Sequence, residues 1–209
     1  MPGAGQQRYT SSIKDMPFLL LEMRKAAGLM AQGYTPDTIV RLSVAQNIFQ
    51  LDKERRRLEL AQEVTARLAA IPPSVAALIA NGQDENARLG AFYALLQTDL
   101  LFFEFTREAY GDRVRLGQTG MADSDVALFL ASKAGENERI SNWTARTLVQ
   151  VKNIYMRILA EAGLAKAEGT GLRLTRPVMN DELRAAWDKP DPYTAAMCLE
   201  VYIVDENAE

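Results

Sequence analysis

SNWTARTLVQVKNIYMRILAEAGLAKAEGTGLRLT, Ser141 to Thr175, reads as one long amphipathic helix followed by a short β-hairpin. Leu148, Val151, Tyr155, Ile158 and Leu159 recur at three- and four-residue spacing and make an apolar stripe, with Trp143 and Ile154 on its flanks. The other face carries Asn142, Arg146, Gln150, Asn153 and Arg157, with Thr144 near its start and no carboxylate before Glu161. Asn, Gln and Arg can make two hydrogen bonds at once to a base edge or a phosphate. Ser141 is the expected N-cap and Gly163 the expected stop. Leu164–Glu168 and Leu172–Thr175 flank Gly169-Thr170-Gly171, a turn of residues that tolerate positive φ. A shorter helix is expected at Asp123–Lys133, capped by Asp123 or Ser124 and stopped by Gly135. Helix, turn, longer helix and hairpin follow in the order of a winged helix-turn-helix.

Charge agrees with a phosphate-facing surface. Ile140–Arg176 holds six basic residues (Arg146, Lys152, Arg157, Lys166, Arg173, Arg176) against Glu161 and Glu168, or +4 in a chain of net −3. Lys166 and Arg173 fall on facing strands of the hairpin, with Arg176 just beyond. Nonspecific affinity from so modest an excess should be weak and strongly salt-dependent. Pro177–Glu209 is acidic, eight acids against two bases, and is expected to face away from phosphate. A second basic cluster, Lys53, Arg55, Arg56 and Arg57, opens a helix. It reads either as a further anion contact through Arg55 and Arg56 or as a solvated helix paired to Glu54, Glu59 and Glu63.

The 209 residues are 48% hydrophobic, enough for a core, and helical patterns run almost throughout. Helices are expected at 15–32, stopped by Gly33; from Pro36 to about Val44; from an Asp52 cap to Leu68; over 74–80; and over 84–98 and 99–110, with a bend. Residues 179–187 read as a helix and 193–204 as a helix or strand. Gly111–Ala122, with three glycines, is the expected linker. The fold expected is mainly α: an arm at 1–12, from which Tyr9–Ile13 could pair elsewhere; a helical domain at 13–110; the linker at 111–122; and a winged helix-turn-helix domain at 123–204 with a small β-hairpin wing and a helical tail.

Chemistry is mostly excluded. The chain has no histidine and a single cysteine, Cys198, so no disulfide framework and no ordinary zinc site can be built. Gly117–Gly120 lacks the Lys-Ser/Thr of a phosphate loop, and Asp123-Ser124-Asp125 reads as helix capping. No cofactor, metal or catalytic site is expected. Met16–Met23 and Leu100–Phe105 are too short and too interrupted by charge to span a membrane, so a soluble, cytoplasmic protein is expected.

The chain resembles the BrxA family of BREX phage-defence systems over about 9–201. The resemblance is carried by LLLEMRKAAGLMAQGYTPDTIV, NIFQLDKERRRLELAQEVTARLAAI, ALLQTDLLFFEFTREAY and RTLVQVKNIYMRILAEAGL with its hairpin. It implies a non-enzymatic, mostly helical, cytoplasmic protein that binds double-stranded DNA, with other BREX proteins as further partners. Two alternatives stand beside it. One is a scaffold that docks proteins through Phe102, Phe103 and Phe105. The other is an RNA-binding protein, since the helical part has been likened to an RNA-binding antitermination fold. Exposure of the Asn142–Arg157 face distinguishes a nucleic-acid binder from a scaffold.

Overall fold

The computed structural model describes residues 9–187 and 189–199. A 3-10 turn at Ser12–Lys14 precedes α1 (Leu20–Ala31), α2 (Pro36–Gln46), α3 (Glu54–Ala69), α4 (Pro73–Asn81) and α5 (Asp84–Thr98). Next, α6 (Leu100–Phe105) passes through a π-helical turn, Thr106–Gly111, into α7 (Asp112–Arg115). Strand β1 (Gly120–Met121) leads to α8 (Asp123–Glu136), α9 (Glu138–Ser141) and α10 (Ala145–Glu161). The hairpin β2 (Ala165–Glu168) and β3 (Gly171–Leu174) follows, then α11 (Asp181–Ala186) and α12 (Pro192–Ala196). The protein is therefore mainly helical with one small antiparallel sheet of order β1-β3-β2. No helix among the described residues is long and apolar enough to cross a membrane.

Local chemistry sets most boundaries. Gly33 takes φ +91° and ends α1. The Thr35 hydroxyl accepts from the Thr38 N–H at 3.3 Å, and Pro36 opens α2. Asp99 breaks α5 from α6 by accepting from the Phe102 N–H at 2.9 Å. Several expected boundaries are corrected. α1 begins at Leu20 rather than Asp15, because Pro17 interrupts the chain and Leu19 is left-handed at φ +54°. Lys53, not Asp52, holds the cap position of α3, and no side chain caps it. Ala122 precedes α8, with its N–H donating to the Asp125 carboxylate at 2.7 Å. Gly135 lies inside α8, which Asn137 ends.

The glycine-rich segment 111–122 is largely ordered into elements. Gly111 sits in the helical run where a Cβ would come 2.9 Å from the Ala196 carbonyl, so α12 packs closely there. Gly117 takes φ +72° at the turn, and Gly120 and Met121 pair with Arg173 and Leu172. Of the expected tail helices, 179–187 is realised as α11. Residues 193–199 hold most of α12, while 200–204 lie outside the described residues, as do 1–8 of the arm. Tyr9 does find a partner: its hydroxyl donates to the Glu104 carboxylate at 2.9 Å.

Packing is centred on α5, which is buried around most of its circumference. An aromatic cluster joins it to the C-terminal elements. Phe102 lies 5.3 Å from Phe92 on α5 and 4.9 Å from Tyr155 on α10, and Phe105 lies 4.8 Å from Tyr155 and 5.6 Å from Phe129 on α8. Phe102 and Phe105 are fully buried, which removes them from the docking surface expected of a scaffold. Phe103 is half-buried, against Tyr193.

Candidate nucleic-acid interface

Helix α10 divides as its sequence spacing requires. Val151, Tyr155, Ile158 and Leu159 are buried, joined by Met156, and Leu148, Ile154 and Trp143 are half-buried. Arg146, Gln150, Asn153 and Arg157 are all exposed on the opposite side. The buried stripe fixes the rotation of the helix, so the polar face is held toward solvent. Val149 is 53% exposed between Arg146 and Asn153 on that same face. Sequence alone hides it, because an apolar residue in an amphipathic helix reads as core. Its position three after Arg146 and four before Asn153 was the available clue. A branched methyl group there suits the C5-methyl of thymine.

The start of the helix differs from expectation. Ser141 lies in α9 and its hydroxyl donates to the Glu138 carbonyl at 2.8 Å, so it does not cap α10. Thr144 does, accepting from the Thr147 N–H at 3.1 Å. Its hydroxyl is thereby committed to the helix end, shared with the Thr147 hydroxyl at 3.0 Å. Asn142 is exposed but follows α9 directly, one element away from the α10 face.

The cations of the region are not equally available. Among the described residues, Arg146 and Lys166 have no carboxylate within 4.0 Å, whereas Arg157 Nε lies 3.5 Å from Glu161 and Lys152 is ion-paired to Asp123. Arg157 also lines a groove of about 570 Å³ with Arg88 and the segment Pro17–Glu22. In the hairpin, Lys166 and Arg173 are direct cross-strand partners, so both side chains leave one face of the sheet. Gly120 completes that rung from β1 and adds no side chain. Glu168 approaches Arg173 no closer than 3.9 Å. Two like charges opposite each other oppose pairing, and an anion placed over the rung would relieve this. Arg176 instead turns to the tail, its Nε donating to the Cys198 carbonyl at 3.2 Å.

At the second basic cluster, Arg55 and Arg56 both bind Glu59, at 2.7 and 3.1 Å, and Arg56 also reaches the Asp15 carbonyl at 3.1 Å. The Arg55 hydrogen bond holds the Glu59 carboxyl below its ordinary range. Arg57 is used on the Leu51 and Asp52 carbonyls. The structure thus places Arg55 and Arg56 in a paired network on α3, apart from the α10 residues in sequence and in element.

A small, mainly helical protein with one exposed polar helix face leading into a cationic antiparallel hairpin is the class that these elements define. The chain belongs to the BrxA family, whose sequence profile matches residues 7–189. It is 33% identical over 187 residues to the BREX protein BrxA of Bacillus cereus (strain H3081.97), covering 88% of this chain and 94% of that protein. Its fold is similar to the crystal structure of an uncharacterized protein from Magnetospirillum magneticum, with a TM-score of 0.75 at 21% identity over 93% of this chain and 100% of the other.

Proposed function

We propose that the protein is a non-enzymatic, double-stranded DNA-binding component of a BREX-type phage-defence system. In this reading β1, α8, α10 and the β2–β3 hairpin work as a winged helix-turn-helix in the cytoplasm. α10 enters the major groove and the Lys166–Arg173 rung, the wing, holds a phosphate. The observation that carries it is the exposure of Arg146, Gln150, Asn153 and Arg157 on one side of a helix whose other side is buried. A helix of this diameter fits the major groove of B-form DNA. The deep, narrow major groove of A-form RNA does not admit it, which favours DNA over RNA. Family membership supports the BREX assignment, and other BREX proteins are the natural macromolecular partners.

The test is binding of random duplex DNA across a salt titration, with duplex RNA as competitor. Binding that weakens linearly in log–log form as salt rises, and a loss of about 0.9 in slope for Arg146→Ala, is the expected result. Absence of duplex binding at low salt would return the α10 face to the scaffold reading. Preferential displacement by RNA would move it to the RNA reading.

A further inference from the structure

We infer that Arg139 is a phosphate-contacting residue, and that α9 is a second DNA-contacting element beside α10. This rests on the DNA-binding reading above and goes beyond the residues that motivated it.

Most cations elsewhere in the molecule are consumed internally. Arg24 binds Asp84, Arg107 binds Glu108, Arg113 binds Asp125 and Arg115 binds Asp112, while Lys133 sits among Glu104, Glu108 and Glu136. Arg139 is exposed and, among the described residues, its guanidinium has no hydrogen bond and no carboxylate within 4.0 Å. Glu138 is its chain neighbour, yet no ion pair joins the two. Glu136 is already turned to Lys133 at 3.8 Å and to the Ser132 hydroxyl at 3.1 Å.

The polar groups that build α9 are likewise spent locally. Asn137 accepts from the Arg139 N–H at 3.0 Å, and the Ser141 hydroxyl donates to the Glu138 carbonyl. Buried Ile140 and half-buried Trp143 anchor the turn and fix its orientation. Open to solvent and without a side-chain partner among the described residues are the Arg139 guanidinium and, three residues on and so on the same side, the Asn142 amide. Both stand within seven residues of Arg146, which is also free of carboxylates. In the helix-turn-helix reading α9 lies in the turn that joins α8 to α10, beside the start of the groove-reading helix, where the sugar–phosphate backbone borders the groove. A planar guanidinium is the side chain best suited to a phosphate there. In this arrangement α9 positions the protein on the backbone, and α10 reads base edges.

The experiment measures duplex affinity of the full chain between about 50 and 200 mM salt for wild type, Arg139→Gln, Arg139→Lys, Arg146→Ala and Arg184→Gln. A lost phosphate contact lowers the log–log slope by about 0.9, so the affinity deficit of Arg139→Gln should shrink about 3.5-fold over that range. It should do so for every DNA sequence alike. Arg139→Lys should restore the slope, and Arg184→Gln, on α11, should leave it unchanged. Arginine modification by a dicarbonyl reagent, read by mass spectrometry, gives an independent measure on the wild-type protein: DNA should protect Arg139 and leave Arg184 reactive. A wild-type slope in Arg139→Gln, or no protection of Arg139, overturns this inference while Arg146→Ala still reports on the DNA reading. If wild type binds no duplex at any salt, both fail together.

Discussion

Arg67 is the residue on which the N-terminal segment hangs. It is buried, and its guanidinium donates to the carbonyls of Met16 and Pro17, both at 2.6 Å, while Nε binds Glu63 at 2.8 Å. Removing it strands those carbonyls and leaves Glu63 without its partner. Arg67→Ala should cost about 3–5 kcal/mol in denaturant unfolding. Arg67→Lys should recover only part of this, because an ammonium cannot span two carbonyls and a carboxylate with a planar fork. Asp99 is the complementary case. Burial, opposed by its bond to the Phe102 N–H and by the field of Arg67, pushes its carboxyl from 3.8 up to about 6. A folded-state pKa above the unfolded one means that the native state holds the proton longer. Relative stability is therefore fully present below about pH 3.8 and is lost as pH rises to 6, by about 3 kcal/mol. Asp99→Asn keeps the helix cap and cannot ionise, so its stability relative to wild type should grow between pH 4 and 7 by up to that amount. A pH-independent difference in unfolding free energy would show that Asp99 titrates as an ordinary carboxylate. Neither role was legible in the sequence. Arg55, Arg56 and Arg57 lie on the same helix as Arg67, and only carbonyls some fifty residues away decide which arginine is buried.

At the scale of elements, periodicity was a good guide to faces and a poor one to ends. The rotation of α10 follows from its apolar stripe, and the hairpin from Gly169-Thr170-Gly171, since both depend on near neighbours. The cap of α10 is hard to read from sequence because Ser141 and Thr144 are both good cap residues, and Ser141 is taken up as the last residue of the short helix α9. The two make a direct comparison. Thr144→Ala should destabilise by about 1 kcal/mol, whereas Ser141→Ala should change unfolding free energy by less than about 0.5 kcal/mol. Equal effects would contradict the assigned cap. In the hairpin, the cross-strand register puts Lys166 and Arg173 on one face, which the sequence left open. Arg173→Glu should weaken binding to all duplexes about equally, because a phosphate contact carries no sequence information. Val149→Ala should act differently, with a deficit confined to sites rich in thymine if its methyl groups meet bases. A uniform deficit in a random-sequence selection would rule out that role for Val149.

For the whole molecule, the aromatic cluster places Phe102 and Phe105, from the N-terminal run of helices, directly on Tyr155 of α10. The sequence could show that each was apolar but not that they met, since pairs some fifty residues apart leave no periodic trace. Phe105→Ala should cost about 3–5 kcal/mol. Calorimetry of wild type should give one transition rather than two, because opening either end exposes the shared cluster. Two separated transitions would instead support independent units on either side of residues 111–122. The smallest element has the widest reach. β1 is two residues long, yet it takes the outer edge of β3, and Gly171 lacks a Cβ because one would sit 2.6 Å from the Met121 carbonyl. The β2–β3 hairpin is thus stitched to chain that precedes α8, and it is not a detachable cassette. A fragment begun at Asp123, where the pattern of helices invites a cut, would leave β3 with a bare edge and uncover Leu172 and Leu174. Such an edge recruits strands from other molecules. That fragment should self-associate more strongly than one begun before Thr119, since both bare the Tyr155 face that Phe102 and Phe105 cover but only the first opens the sheet edge.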